Sequence, residues 1–279
     1  MSQSRSKDHS GLKLGIGVAT FNRVDLLTRT LDAIIRHTST PYHLIVADDG
    51  SSDGTLALLR SRHIPHVAGP NRGIAWNKNR ILFHLHEVAR CDVILLLEDD
   101  IMPRHDGWEL PWIEATRKWG HANIGGNWFE HLLGSEAGTP DDPILSTILT
   151  AQCSGFSRVA LNAVGYMDTR FGRYGHEHCE HSERMIRAGF GGTRDPQRFF
   201  LLRSDLQLNA TKESDYHSEL GTNSAVYAMV SKDPTLYRKP WRTRSEKKQI
   251  QSDLKNTNLY EFRSKFNLLK FRTKFALIK

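Results

Sequence analysis

Along residues 14–97 the chain alternates between short continuous apolar runs and stretches whose apolar positions recur every three or four residues. "LGIGVA", residues 14–19, is a run of strand length. Leu26, Leu27, Leu31, Ile34 and Ile35 follow at helical spacing, with Asn22 or Asp25 as the helix cap. "HLIVA", residues 43–47, reads as a second strand, and "DDGSSDG" behind it is dense in turn residues, with Asp53 placed to cap a short helix. "HIPHVA" reads as a short third strand. "NRGIAWNKNRILFHLHEVA" reads as a helix entered through Gly73, and residues 93–97 as a buried strand. Four strand–helix units in succession predict a parallel sheet covered by helices on both faces.

The second half is less regular. "HANIGGNWF" and "ILSTILTAQCSGF" each read as a strand, "SRVALNAVG" as a short helix, residues 180–189 as a helix closed by Gly189, and "DLQLNA" as a strand. From about Pro240 the chain is polar, basic and helical.

Length and composition narrow the class. The 279 residues suit one large domain, or one domain with an appendage, and 39% hydrophobic content supplies a core. No apolar stretch approaches the ~18 residues of a membrane span. The opening "MSQSRSKDHSG" lacks the apolar segment of a signal peptide. Cys91, Cys153 and Cys179 form no CxxC, which fits a reducing, cytoplasmic compartment. The net charge of +7 hides a division: residues 238–279 hold 13 Lys/Arg against 3 Asp/Glu, whereas residues 1–237 hold 25 against 28. The basic tail calls for an acidic partner, and the mildly acidic body does not support nucleic-acid binding.

Residues 92–103, "DVILLLEDDIMP", end a core strand in Glu98, Asp99 and Asp100. Adjacent like charges repel and resist burial. Either the turn is solvated, or a hard divalent cation such as Mg²⁺ or Mn²⁺ offsets the charge, taking one or two carboxylates plus substrate phosphates. In open parallel sheets ligands bind at the carboxyl ends of the strands. Thr20–Asn22, Asp48–Asp49 and Glu98–Asp100 all fall at such ends.

Five segments, in order, resemble the family 2 glycosyltransferases, which have the GT-A fold. "GIGVATFNR" resembles the opening strand with its T-F/Y-N-R ending, and "LIVADDGSSDGT" resembles VVDDGSxDGT. "NRGIAWNKN" resembles the NxGxxxAxN helix start, and "DVILLLEDDIMP" the acidic DXD strand end. "VGYMDTRFGRYGHEHCEHSERMIRAGF" resembles the segment that carries the family's Glu-Asp pair. The resemblance covers roughly residues 13–217. It implies a mostly parallel sheet flanked by helices, with a nucleotide-binding half at 13–103, an acceptor half at 104–237, a polar lead at 1–12 and a basic helical extension at 238–279. It also implies metal-dependent, inverting transfer from a nucleotide-diphosphate sugar, UDP-linked first of all, to a glycan or lipid-linked acceptor in polysaccharide or cell-surface glycan synthesis.

The resemblance assigns residues as well. Thr20 and Asn22 would contact the base, although helix capping accounts equally for Asn22. Asp49 would accept the uracil N3–H, with Asp48 supporting the turn. Asn71, Arg72 and Gly73 start a helix that would face the base or diphosphate. Asn79 occupies a family position but suits helix packing equally. Asp100 falls to the metal, Asp99 to ribose or metal, and Glu98 stands where Asp is usual. "SDYHSEL", residues 214–220, resembles a segment of bacterial polysaccharide polymerases in which His completes the metal site. That implies His217 as a ligand and leans the metal toward Mn²⁺; the alternative is a surface His beside Asp215 and Glu219.

The departure lies at the base. Where the family places Glu-Asp, this chain has Glu177 and His178. Glu177 is preferred, and His178, with an ordinary pKa near 6.5, is the other reading. Glu180 and His181 read as first-turn helix residues, and Glu183 and Arg184 as members of structural ion pairs. A zinc site among His176, His178 and His181 would want HExxH or CxxC spacing, which does not appear. Trp128 and Phe129 suit sugar stacking or a core equally, and residues 134–143 suit a lid. In the tail, Leu259, Phe262, Phe266 and Leu269 follow helical spacing among Lys and Arg. Residues 245–279 therefore suit an anionic membrane surface, as in a protein peripheral to the inner face, or packing on the body or a second subunit. Nucleotidyl transfer would need a Gly-rich basic loop, which "ATFNRVD" is not. A catalytically inactive binding subunit, recruited through its tail, is the non-enzymatic alternative.

Overall fold

Seven consecutive buried residues make β1, Leu14–Thr20, the middle of the parallel half of the sheet. In the computed structural model, residues 11–125, 136–150, 152–203, 207–208 and 217–255 are described, with backbone alone for 207–208 and 217–220. β1 pairs in parallel with β2 (Tyr42–Asp48) on one side and β4 (Val93–Glu98) on the other, and β3 (His66–Ala68) extends the parallel set beyond β2.

The other half is mixed. β4 runs antiparallel to β8 (Cys153–Ser157), which runs antiparallel to β6 (His121–Ile124). β10 (Gln197–Leu202) is parallel to β6 and antiparallel to both β7 (Ile144–Ser146) and β9 (Gly192–Arg194). The order is β3-β2-β1-β4-β8-β6-β10-β7, with β9 alongside β10; β5 (Ile101–Met102) and β11 (Gln207–Leu208) form a separate ladder.

Each parallel strand buries both faces, as a continuous apolar run requires. Leu14, Ile16 and Val18 face α1 (Val24–His37), α2 (Thr55–Ser61) and α4 (Glu109–Trp119), where Leu27, Leu31, Leu59 and Trp112 complete one core. Ile45, Ala47, Ile94 and Leu96 face the opposite way, toward α3 (Ile74–Phe83), α5 (Arg158–Val164) and α6 (Glu177–Arg187). A fully buried aliphatic side chain of this kind stabilises the fold by about 1.5–3 kcal/mol. Gly17 lets α3 lie close, since a Cβ there would sit 2.0 Å from Ile81. α3 continues as a π turn over His84–Val88.

The chain departs from its local signals in four places. α1 takes no side-chain cap from Asn22 or Asp25; Asp53, from the β2–α2 loop, accepts the Val24 N–H at 2.9 Å and also the Thr55 N–H at 3.1 Å. "ILSTILTAQCSGF" divides into β7 and β8, which lie in different parts of the sheet. α6 begins three residues earlier than its apolar spacing predicts, at Glu177, and Gly189 follows the Ala188 cap at φ +91°. α7 (His217–Val230) has no apolar stripe to announce it.

The basic extension starts with α8 (Arg244–Lys255), whose buried Ile250 and Asp253 pack it on α3 and β3. Leu259, Phe262, Phe266 and Leu269 lie outside the described residues. No helix among the described residues is long and apolar enough to cross a membrane. Cys91, Cys153 and Cys179 are all free thiols.

Candidate active site

The parallel register carries three polar groups to one edge. Thr20 stands opposite Asp48, and Ala19 opposite Glu98, so the residues that end β1, β2 and β4 adjoin. Thr20 Oγ1 donates to Asp99 Oδ2 at 2.7 Å, and Thr30 Oγ1 donates to the Asp99 carbonyl at 2.7 Å. Arg23 reaches Asp99 at 3.1 Å and Asp100 at 3.4 Å. Asp99 is 3% exposed and Asp100 2%. Burial pushes the Asp99 carboxyl up to about 6; burial, then Glu98 and Asp99, push Asp100 up to about 7. Two buried, mutually repelling carboxylates form an oxygen donor set suited to a hard divalent cation that shares its shell with phosphates. Among the described residues no group of three His, Cys, Asp or Glu is placed to hold a metal by itself. The side chain of His217, and Trp128 and Phe129, lie outside the described residues.

Asp49 is engaged from several sides. Its carboxylate accepts the backbone N–H of Gly73 at 2.8 Å, that of Arg72 at 3.1 Å, and Arg80 NH1 at 2.9 Å. It thereby pins the turn before α3 to the end of β2. Gly73 is needed there: its φ is +90°, and a Cβ would come 2.5 Å from the Gly172 carbonyl oxygen. Arg72 lies over the Trp76 ring at 4.8 Å. Asn71 and Arg72 are exposed, as is Phe21 beside Thr20. Asp48 accepts the Ser51 N–H and hydroxyl, supporting the turn. Asn22, at φ +52°, accepts the Ser52 N–H at 2.7 Å and gives its own N–H to Ser51, tying two loops together rather than capping α1.

Of the two roles open to Asn79, its contacts are those of helix packing. It is fully buried, and its amide pairs with the Met167 backbone in both directions, at 2.9 and 3.0 Å. A side chain with donor and acceptor both committed to another segment is a packing element.

Lys78, one residue earlier, is the group the sequence reading missed. It is fully buried, and its Nζ bridges Glu98 at 2.9 Å and Glu177 at 3.2 Å. Burial disfavours the ammonium, but Glu98 and Glu177 outweigh it and raise the pKa. The available signal was "NKNR", four consecutive polar residues inside a helix otherwise flanked by apolar positions. Such a run is either a solvated face or a set of buried partners, and here all four residues are buried.

On the other arm of Lys78 from Glu98, Glu177 opens α6 behind His176, which takes φ +67°. Glu177 Oε1 meets Lys78 and lies 3.3 Å from His178 Nδ1, while Oε2 is buried and accepts no hydrogen bond among the described residues. Burial raises the Glu177 pKa, but Lys78 and then His178 overcome that and hold it well below the usual carboxylate range. Burial lowers the His178 pKa, but Cys179 and Glu177 more than reverse it and leave it raised.

The rest of α6 is structural. Glu180 pairs with Arg184 at 2.8 Å and Arg238 at 3.2 Å, His181 Nε2 meets the Gly165 carbonyl at 3.0 Å, and Glu183 accepts the Tyr227 hydroxyl. Arg184 thus pairs with Glu180 and not with Glu183. Of the expected lid, residues 136–143 form a turn tied to Arg203, whose N–H donates to the Gly138 carbonyl at 2.9 Å.

Residues 16–152 match the profile described as "Glycosyl transferase family 2". No curated protein matches the chain in sequence. Among solved structures, the mannosyltransferase PcManGT of Pyrobaculum calidifontis, in complex with GDP-Man and Mn²⁺, superposes with TM-score 0.57 at 16% identity, over 86% of this chain and 68% of that one. Residues 1–349 of TarS from S. aureus superpose with TM-score 0.52 at 15% identity, over 94% and 76%. Glucosyl-3-phosphoglycerate synthase of Mycobacterium tuberculosis, with Mn²⁺, UDP-Glc and phosphoglyceric acid, superposes with TM-score 0.54 at 15% identity, over 81% and 82%. At these identities the likeness is one of fold, and the fold is GT-A.

Proposed function

With residues 16–152 belonging to glycosyl transferase family 2, we propose that the chain moves a sugar from a nucleotide-diphosphate sugar, a UDP-sugar first, to a hydroxyl of a glycan or lipid-linked acceptor, inverting the anomeric carbon. The observation that carries this reading is the double ion pair of Lys78, which brings the acidic strand end and Glu177 together on one buried cation. The complexes of similarly folded proteins with GDP-Man or UDP-Glc and Mn²⁺ support the donor class and the metal.

The division of labour follows from charge and place. Thr20, Asn22, Asp49, Asn71 and Arg72 line the edge where base, ribose and diphosphate would lie, with the exposed Phe21 ring beside them. Asp100 and Asp99, with His217, would hold Mn²⁺ or Mg²⁺, which supplies neutralisation of the departing diphosphate. The acceptor oxygen bonds to the anomeric carbon as the bond to the diphosphate oxygen breaks, and the acceptor proton goes to Glu177. A carboxylate held so far below neutral takes that proton late, once the attacking oxygen is largely bonded to carbon and its proton is strongly acidic. His178 meets the same Glu177 oxygen through Nδ1, and so stands beside the proposed base. The halves 13–103 and 104–237 would serve donor and acceptor, and a cytoplasmic site at the inner membrane face would suit a lipid-linked or growing acceptor.

A screen of UDP- and GDP-sugars with candidate acceptors, read as Mn²⁺-dependent nucleotide release, tests the proposal. Release confined to one donor class, lost on chelation, is expected. No release from any donor, together with no calorimetric binding of UDP or GDP, would overturn it.

A further inference from the structure

α8 lies well beyond the stretch that matches the family profile, yet it ends against the donor side of the crevice. Asp253, itself buried, accepts Arg80 Nε at 3.0 Å and the Trp76 indole N–H at 3.4 Å, while Gln249 donates to its other oxygen at 2.7 Å. Arg80 NH2 also pairs with Asp253 at 3.0 Å. The remaining Arg80 donors reach Asp49 at 2.9 Å, Asn77 Oδ1 at 3.0 Å and the Pro70 carbonyl at 3.0 Å. Four of the five N–H groups of a fully buried guanidinium therefore donate hydrogen bonds, and both NH2 and Nε lie against the Asp253 carboxylate.

The fork is planar and rigid, so displacing one partner displaces the others. Two routes leave Asp253. One runs through Arg80 to Asp49, which holds the Arg72 and Gly73 N–H groups. The other runs through Trp76, whose ring carries the Arg72 guanidinium. There is little slack, since a Cβ on Gly69 would come 2.3 Å from Arg80 NH2 and 2.8 Å from the Asp253 carboxylate.

We infer that Asp253 is a positioning residue for the nucleotide: through Arg80 it fixes Asp49, and through Trp76 it fixes Arg72, so that α8 is a working part of the donor site. The inference rests on the donor reading proposed above. A purely structural Asp253 would alter the yield or melting of the protein without separating donor binding from turnover.

The test uses the full chain. UDP with Mn²⁺ is titrated by calorimetry into the wild type, Asp253→Ala, Asp253→Asn, Asp253→Glu and the exposed control Lys248→Gln, and donor KM and kcat are measured for each. Supporting contacts behind ligand-binding residues change affinity by about tenfold or more, and that loss is expected for Asp253→Ala and Asp253→Asn. It should appear in donor KM with kcat nearly unchanged, with partial recovery in Asp253→Glu and none of it in Lys248→Gln. Should Asp253→Ala fail to fold, Asp253→Asn decides, because an amide keeps the shape and one acceptor oxygen while losing the charge and the second acceptor. Folded variants that bind UDP as the wild type does, or that lose kcat at unchanged KM, overturn the inference alone. A wild type that binds no nucleotide overturns the donor reading and this inference with it.

Discussion

Lys78 and Glu177 stand 99 positions apart and form a 3.2 Å ion pair in which the lysine is fully buried. The pair crosses from α3 to α6, and the second arm of the lysine, to Glu98, reaches the acidic strand end.

Removing the lysine leaves two carboxylates close together with no ammonium between them. Lys78→Met is expected to destabilise the chain by about 3–5 kcal/mol, as breaking a buried pair does. The sign with pH follows from Glu177, whose folded pKa is lowered. Its stabilisation is present above the unfolded value and fades as pH falls toward the folded one. The deficit of Lys78→Met should therefore be largest near neutrality and shrink in acid. Denaturant midpoints across pH check this, and a deficit that grows toward acid would refute it.

Asp100 works in the opposite sense. Its folded pKa, near 7, lies above the unfolded value, so the folded state holds a proton the unfolded state has lost. Between the two values the group weakens the fold as pH rises. With divalent cations chelated, Asp100→Asn should melt above the wild type at about pH 8, by on the order of 2 kcal/mol, and match it at about pH 4. The same substitution should abolish Mn²⁺-enhanced UDP binding, while Asp106→Ala, at an exposed site, should not.

Glu177→Gln keeps the shape of the proposed base and removes its proton affinity. Transfer should fall by about 10²–10⁴-fold, with UDP affinity retained. His178→Gln should fall less. Turnover measured at saturating donor separates them, and a Glu177→Gln enzyme at nearly full rate would hand the role to another group.

Asn79→Ala separates the packing role of that residue from a nucleotide role. Loss of its paired hydrogen bonds to Met167 leaves buried backbone groups unsatisfied, at about 1–3 kcal/mol each. Melting should fall while donor KM stays at the wild-type value. A raised KM with unchanged melting would restore Asn79 to the nucleotide site.

What the chain disclosed locally was its first half. Residues 14–19, 43–47 and 93–97 are apolar on both faces, so they are legible as strands without knowledge of their neighbours, and the acids that end them are legible as a site. "ILSTILTAQCSGF" is equally apolar, but the break between β7 and β8 depends on where β10 and β6 lie, which no local pattern encodes. The cap of α1 comes from Asp53, 29 residues beyond the Val24 N–H it accepts. Lys78 and Arg80 were hidden for the same reason: a buried cation is recognisable only once its distant carboxylates are in place. Asn79 stayed open between two roles because its motif position says nothing of which way the helix faces.

The Arg80–Asp253 bond spans 173 positions, and that distance has a consequence in time. On a ribosome adding roughly 5–20 residues per second, about 9–35 s separate the appearance of the guanidinium from that of its second carboxylate. Through that interval the strands and helices that carry Asp49 and Asp99 are already made, but the Arg80 fork lacks one arm. Synthesis is therefore ordered so that the Arg80 fork is completed by the last described helix to emerge, and a nascent chain still short of α8 holds the Asp49 turn without that brace.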